Sequence, residues 1–474
     1  MPRKKISFGT DGWRSRTDVD FNDINVRIVS GAIAQYLLLS GRNKGIFIGY
    51  DGREGSRSFA MACAEVLSSY DIPSFLPPRP VTTPLAAFAT IHFSLDGAVM
   101  ITASHNPPVY NGIKFIPEYG GPASTDITSK IESLLTESPP KCREYEHLER
   151  EGLISTLDPM PEYLLHLKSI LSIKTSNLKV ALDPMHGSTS GIADRAFKEL
   201  GVETVIVRGN IDPNFGGISP DPVPQNLEPL LAKVLSEKCQ IGFAFDGDGD
   251  RLAAVTDQGT FLMANQILPL LYAHICERRS MIGDAARTVA TSHLIDSVAK
   301  RFGRRVIETP VGFKYISSLL RDGSVVIGGE ESGGISFASH IPEKDGIASA
   351  LLLLESAESS GVPLQTLINE MYREYGYLES RRLDLVIDPA HEIRLEDVEI
   401  PEAILGKRVI GTNRIDGLKI LLEEGSWILL RKSGTENVVR IYAEAKNRYD
   451  VQLLIDFGKA LLMKSLSASP KRIG

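Results

Sequence analysis

Short runs of β-branched and aliphatic residues that end in Asp, Gly or Glu recur along the chain, each followed by a stretch whose apolar positions have helical spacing. Four show the pattern plainly: Gly45-Ile-Phe-Ile-Gly-Tyr-Asp-Gly-Arg53, Leu178-Lys-Val-Ala-Leu-Asp183, Ile241-Gly-Phe-Ala-Phe-Asp246 and Val325-Val-Ile-Gly-Gly-Glu330. Runs this apolar suit strands covered on both faces of an α/β sheet. The loops at the carboxyl ends of such strands are where these folds hold ligands. Their spacing predicts several related α/β units. After about residue 380 the pattern changes: residues 381–387, 417–422, 426–430 and 438–443 read as strands and 449–465 as a closing helix, an α+β section. Charge- and Pro-rich residues 137–160 read as a connector, and Asp257-Gln-Gly259 as a turn between units. The expected domains are therefore 1–155, 156–257, 258–372 and 373–474.

A chain of 474 residues exceeds what one core supports, in keeping with several domains. Its 52 Lys and Arg against 59 Asp and Glu give a net charge of −7, which excludes a broad basic face for nucleic acid. An anion site must then be a local concentration of Arg, Lys and backbone amides, which fits a small phosphorylated ligand. Cys63, Cys142, Cys239 and Cys276 are scattered, without a CxxC pair, and read as reduced thiols. The basic run Pro2-Arg3-Lys4-Lys5 is not followed by an apolar segment. The apolar run near 347–354 is far shorter than the roughly 20 residues that span a bilayer. The expectation is a cytoplasmic protein with no membrane partner.

The first candidate for chemistry is Asp246-Gly-Asp-Gly-Asp-Arg251, three carboxylates at i, i+2 and i+4 directly after an apolar strand. Hard oxygen ligands on flexible spacers suit Mg²⁺. A calcium EF-hand loop does not fit, because Arg251 stands where that loop needs Gly and Asp257 where it needs Glu. The second candidate is Thr102-Ala-Ser-His-Asn-Pro107 with Asn111-Gly-Ile-Lys114 behind it, where Ser104 and His105 sit at a strand end and Lys114 could exchange a proton or bind phosphate. Taken alone, Ser-His-Asn-Pro is also an acceptable structural turn. The third is Arg431-Lys-Ser-Gly-Thr-Glu436 with Arg440, a candidate phosphate clamp whose competing reading is a helix N-cap with surface charge. The fourth is Gly328-Gly-Glu-Glu-Ser-Gly-Gly334, acceptors on a flexible loop that could hold sugar hydroxyls. Arg14 in Gly9-Thr-Asp-Gly-Trp-Arg14 and Lys344 in Glu343-Lys-Asp-Gly346 are weaker candidates, as is His186 in the turn after Asp183.

In this order the motifs resemble the α-D-phosphohexomutase superfamily over essentially the whole chain. The resemblance implies three related α/β domains with mixed sheets plus a smaller α+β C-terminal domain around a central cleft. It implies that Ser104 carries a phosphoryl group, that Mg²⁺ is held by Ser104, Asp246, Asp248 and Asp250, and that Lys114, His105 and Arg14 serve the transfer. It assigns substrate binding to Arg251, Thr309, Gly312, Glu330, Ser332, Lys344, Arg431, Ser433, Gly434, Thr435 and Arg440. The implied reaction interconverts glucose 1-phosphate and glucose 6-phosphate through glucose 1,6-bisphosphate, with a hexose phosphate as partner. Glu-Glu-Ser and Thr-Ala-Ser-His-Asn-Pro resemble the glucose members. Lys432, Asn437 and Phe313 depart from the family pattern, which bears on sugar preference and clamp detail. A phosphomannomutase or dual-specificity mutase is the competing enzyme, and a non-catalytic sugar-phosphate sensor the competing binder.

Overall fold

The computed structural model describes residues 6–9, 11–388, 394–433 and 438–468. Four sheets organise the chain. The first contains β1 (Trp13–Arg16), β2 (Ile46–Tyr50), β3 (Ser74–Leu76), β4 (Gly97–Ile101), β5 (Tyr110–Pro117) and β6 (Ile154–Thr156) in the order β1-β5-β4-β2-β3-β6. The second contains β7 (Lys179–Asp183), β8 (Glu203–Ile206), β9 (Ile241–Phe245), β10 (Leu252–Thr256) and β11 (Phe261–Leu262) in the order β11-β10-β9-β7-β8. The third contains β12 (Ala285–Thr288), β13 (Val306–Thr309), β14 (Ile327–Gly329) and β15 (Ile335–Phe337) in the order β13-β12-β14-β15.

These three sheets repeat one plan. A central strand pairs in parallel on both sides, and its parallel neighbour (β4, β9 or β14) then turns back into an antiparallel partner (β5, β10 or β15). The strands of the parallel part are apolar throughout because helices cover both faces; β2, β4 and β9 are buried at every position. The Ser-His-Asn-Pro, triple-Asp and Glu-Glu-Ser segments occupy the same place in each plan, the turn between those last two strands.

The fourth sheet is wholly antiparallel and joins β16 (Glu379–Val386), β17 (Ala403–Ile404), β18 (Lys407–Asn413), β19 (Leu418–Leu422), β20 (Trp427–Lys432) and β21 (Val438–Ala445), with the helix Arg448–Ala468 packed on it.

The first three units share one continuous apolar core that runs from Phe47 and Phe88 through Val180 and Phe243 to Leu268, Ile347 and Met371. Its centre is the helix Gly346–Ser360, apolar around most of its circumference and therefore buried. Asp345 starts that helix by accepting from the Ala348 amide at 2.9 Å, and Gly361 ends it in a left-handed conformation. The C-terminal unit has its own core around Leu418, Ile428, Leu430, Ile441 and Leu454. It meets the third unit through a small cluster of Val289, Ala290, Trp427, Leu429 and Tyr442.

Two expectations about connections change. Residues 137–160 contain the helix Tyr145–Arg150 and strand β6, because Leu148, set among charged residues, and Ile154 insert into a separate apolar cluster of the first unit with Val29, Leu67 and Ile72. The turn at 257–259 joins β10 to β11 within the second sheet and does not divide two units. No helix among the described residues is long and apolar enough to cross a membrane.

Separate cores predict separable unfolding. Leu430→Ala, at a fully buried position of the C-terminal core, is expected to cost about 2–5 kcal/mol. Scanning calorimetry should show the C-terminal transition lowered while the transition of the three fused units stays in place.

Candidate active site

Ser104 stands at the end of β4 with φ of 50°, a left-handed conformation that a serine adopts only when its surroundings hold it there. Three layers do so. The Thr102 hydroxyl oxygen accepts from the Ser104 amide at 2.9 Å and donates to Asp51 Oδ2 at 2.7 Å. Asp51, fully buried at the end of β2, forms an ion pair with Arg53 at 3.0 Å. Arg53 in turn donates to the carbonyls of Ser104 at 2.6 Å, Asn106 at 2.7 Å, Pro107 at 2.8 Å and Tyr110 at 3.0 Å. One guanidinium thus satisfies the carbonyls of a loop that has no strand partner, and Phe215 of the second unit covers it at 4.8 Å.

The triple-Asp loop folds against this serine. Asp246 Oδ1 accepts from the amides of Asp250 and Arg251 at 2.9 and 3.0 Å, which curls the loop, and Gly249 takes φ of +74° at the bend. Gly247 is needed for close approach, since a Cβ there would lie 2.5 Å from the Ser104 carbonyl oxygen. As a result Ser104 Oγ donates to Asp246 Oδ2 at 2.6 Å. Thr83 holds Asp248 through its amide at 2.9 Å and its hydroxyl at 2.6 Å.

The three carboxylates are buried, and one oxygen of each lies within 4.8 Å of the others. Asp248 Oδ1 and Asp250 Oδ1 are buried without a hydrogen-bond partner. Unpartnered hard oxygens converging beside a hydroxyl are the donor set of a divalent metal ion, and these residues could hold one. Lys114 Nζ lies 2.9 Å from Asp11, 2.9 Å from Asp248 and 3.1 Å from Asp250. Lys344 adds a second cation, 3.0 Å from Glu343, 3.5 Å from Asp250 and 3.7 Å from Asp11.

This density of charge sets the protonation states. Burial, reinforced by Asp248 and Asp250, pushes the Asp246 carboxyl well above the usual range. Burial would also raise Asp248, but Lys114 and Thr83 outweigh it and hold that carboxyl below the usual range. Burial disfavours the Lys114 ammonium, yet Asp11, Asp248 and Asp250 overcome it and keep the group above the ordinary lysine range. His105 is the opposite case: burial first, and then Arg251, Arg14, Lys114 and Arg53, drive it well below the usual value, so it is neutral. Its Nδ1 lies 3.5 Å from Ser104 Oγ. Arg14 donates to Asn106 at 3.0 Å and faces Asp11 at 3.8 Å.

The Glu-Glu-Ser loop joins from the third unit. The Leu252 amide, just past the triple-Asp loop, donates to the Gly333 carbonyl at 3.1 Å, and the Gly346 amide donates to the Gly249 carbonyl at 3.0 Å. Glu330 is buried and accepts from the Gly312 amide at 2.9 Å, while Ser332 is partly exposed beside it. Burial pushes the Glu330 carboxyl up to about 7. Thr309 ends β13 with its hydroxyl turned onto the Pro310 carbonyl at 3.0 Å. Arg251 faces Asp221 at 3.4 Å.

The residues expected to form a phosphate clamp make a second group on the C-terminal sheet. Arg431 and Arg440 are direct cross-strand partners on β20 and β21. Two like charges in that register repel, and each has a carboxylate near it, Asp416 at 2.7 Å from Arg431 and Asp384 at 3.7 Å from Arg440. The Ser433 amide donates to the Val438 carbonyl at 2.8 Å, which closes the loop base. Gly434 and Thr435 lie outside the described residues.

Asp11, Asp51, Arg53, Thr83 and Glu343 were not singled out by sequence reasoning. Asp51 and Arg53 were visible as a strand-terminal Asp-Gly-Arg, and Asp11 and Glu343 flank residues that were. Nothing local marks Thr83, whose partner is 165 residues away.

A serine hydroxyl beside a buried carboxylate cluster and two lysines, at the meeting point of three like-built units, is an arrangement suited to phosphoryl transfer. Four family models match in order: the phosphoglucomutase/phosphomannomutase α/β/α domains I, II and III over residues 5–140, 161–259 and 263–375, and the C-terminal domain over 392–457. The chain is 31% identical to the phosphoglucomutase/phosphomannomutase of Thermococcus kodakarensis over 81% of its length and 82% of that protein. It is also 31% identical to phosphoglucosamine mutase 1 of Shewanella amazonensis over 96% and 97% of the two chains. Its fold matches a phosphoglucomutase/phosphomannomutase family protein from Burkholderia thailandensis with a TM-score of 0.82 at 24% identity, covering 98% and 99%. The chain belongs to the phosphoglucomutase/phosphomannomutase family, and it is an intramolecular phosphotransferase of the phosphohexomutase superfamily.

Removing one cation from the cluster leaves the carboxylates uncompensated. Lys114→Met is expected to lose about 3–5 kcal/mol of stability in metal-free buffer. Added Mg²⁺ should then raise the melting temperature of the variant more than that of the wild type, read by thermal denaturation with and without EDTA.

Proposed function

We propose that this enzyme interconverts glucose 1-phosphate and glucose 6-phosphate by way of phosphorylated Ser104 and glucose 1,6-bisphosphate. The observation that carries this reading is the position of Ser104 Oγ, 2.6 Å from Asp246 of the carboxylate cluster whose other members, Asp248 and Asp250, bond Lys114. Bound by Asp246, Asp248, Asp250 and the serine oxygen, Mg²⁺ would supply positive charge to a phosphoryl group there.

The remaining chemistry belongs to side chains. The phosphorus–oxygen bond to Ser104 breaks as the free sugar hydroxyl bonds to phosphorus and gives up its proton. Ser104 Oγ leaves with the bonding pair and takes up a proton in its place. His105, neutral and with Nδ1 3.5 Å from Ser104 Oγ, relays the proton from the sugar hydroxyl to the serine oxygen without keeping it, while Lys114 is held protonated and offsets charge on the transferring oxygens. Arg14 and Lys344 border the same centre and add cationic character. Glu330 and Ser332 take ring hydroxyls, with Thr309 and Gly312 at the edge of that loop, and Arg431, Ser433, Gly434, Thr435 and Arg440 take the phosphate that does not react. For net isomerisation the bisphosphate turns over and returns its other phosphoryl group to Ser104.

The second reading, a phosphomannomutase or dual-specificity mutase, is favoured by one observation: relatives of equal identity carry different sugar names. The distinction rests on hydroxyl contacts at Glu330, Glu331 and Ser332. A coupled assay with glucose, mannose and glucosamine 1-phosphates, Mg²⁺ and a trace of the bisphosphate decides it. We expect glucose to be preferred and Ser104→Ala to abolish turnover; preference for another sugar would move the assignment within the family. Lys114→Gln should lower kcat by about 10²–10³-fold.

Glu330 also gives a pH dependence. Its carboxyl is raised from 4.5 to about 7 in the folded protein. Below 4.5 it is protonated in both states; between 4.5 and 7 the folded state holds a proton that the unfolded chain releases, so its contribution to stability falls as pH rises. Glu330→Gln should remove that loss and gain about 1–3 kcal/mol relative to wild type on going from pH 5 to pH 8, measured by denaturant unfolding at both pH values.

A further inference from the structure

Asp416 lies in the turn between β18 and β19 of the C-terminal unit. Its Oδ2 accepts from Arg431 Nε at 2.7 Å and from the Val311 amide of the third unit at 3.0 Å. The next amide, Gly312, donates to Glu330 Oε1 at 2.9 Å. Gly312 has φ of 128°, and at that bend two successive amides serve opposite partners, one across the domain boundary and one on the Glu-Glu-Ser loop. Gly417, with φ of +101°, lets the turn sit against the clamp strand, since a Cβ there would meet the Leu430 carbonyl oxygen at 2.4 Å. A path of three hydrogen bonds joined by the Val311–Gly312 peptide link therefore runs Arg431, Asp416, Val311, Gly312, Glu330.

Adhesion between the two units has a separate source. Lys419, 1% exposed, crosses the same boundary and donates to the Val289 carbonyl at 2.8 Å, His293 Nε2 at 2.8 Å and Glu308 at 2.7 Å, under the Trp427 ring at 4.2 Å. The His293 amide donates to Glu444 at 2.9 Å beside it. Asp416 differs from these groups in touching both the clamp arginine and the backbone that supports the sugar loop.

We propose that Asp416 is a positioning residue that couples the phosphate clamp to the sugar loop. With the C-terminal unit docked, it orients Arg431 for the non-reacting phosphate and, through Val311 and Gly312, steadies Glu330 for the ring hydroxyls. The two ends of a hexose phosphate are then gripped together, and displacement of the C-terminal unit loosens both at once. This inference rests on the reading of Arg431 as clamp and Glu330 as sugar contact.

The test is a set of steady-state measurements with glucose 1-phosphate on Asp416→Ala, Asp416→Asn, Arg431→Ala, Glu330→Gln and the Asp416→Ala/Glu330→Gln pair. Should the sugar phosphate bind without turnover, its Kd by calorimetry replaces KM. Asp416→Ala is expected to raise KM about tenfold, the loss of one charge-assisted hydrogen bond, with kcat little changed. Asp416→Asn retains an acceptor for Val311 and should fall between Asp416→Ala and wild type; it carries the test if the alanine variant does not fold. Coupling requires the pair to be clearly less than multiplicative, whereas independent sites would multiply. A multiplicative pair, or an Asp416→Ala that lowers the melting temperature without raising KM, would overturn the coupling and leave Asp416 a brace. A normal KM in Arg431→Ala would overturn the clamp reading itself, and the coupling with it.

Discussion

Three aspartates confined to five consecutive positions and buried together are the constraint on which the architecture turns. No single unit could hold them, because mutual repulsion and lost hydration both oppose the charged form. The compensation comes from elsewhere: Lys114 from the first unit and Lys344 from the third meet Asp248 and Asp250 of the second. Each lysine is as dependent on the carboxylates as they are on it, since a buried ammonium without partners would lose its proton. The cluster and the continuous apolar core beneath it therefore favour the same arrangement of the three units.

The repeated sheet plan explains why these loops are the ones that meet. A strand that ends its parallel ladder and turns back antiparallel leaves a loop at the carboxyl end of the sheet, where backbone amides are free to bind and side chains project clear of the covering helices. The first unit places Ser104 there, the second its aspartates, and the third Glu330. The first loop is additionally held in a left-handed conformation by Arg53, whose contacts replace the strand that the loop lacks. The left-handed backbone at Ser104 is sustained by a buried ion pair one strand away.

The C-terminal unit is built on a different plan, a wholly antiparallel sheet. It has its own core and meets the third unit through one small apolar cluster and a few directed polar contacts. An interface of that kind can be broken and remade without exposing a large apolar surface. The polar contacts give the docked position its geometry, and the Lys419 hub gives it strength.

Much of the site was legible in the chain because its chemistry is local: Asp246, Asp248 and Asp250 fall within one loop, as do Ser104 and His105, and Arg431 with Ser433. The strand-ending Asp and Gly residues and the change to antiparallel strands near residue 380 likewise depend on nearest neighbours along the chain. Leu148, hidden among charges, shows where this fails, since its burial depends on what packs over it. Thr83 against Asp248, the opposite protonation of Lys114 and His105, and Asp416 between Arg431 and Val311 had no sequence signal; Arg53 stood in a visible Asp-Gly-Arg, but its place beneath the Ser104 loop did not show. Sequence by itself determined the kinds of ligand, base and cation available and the strands that carry them, because periodicity and short spacing report local geometry. Only the tertiary structure decided which of them meet and in what charge state, because burial and Coulomb energy depend on distance in space, which separation along the chain does not specify.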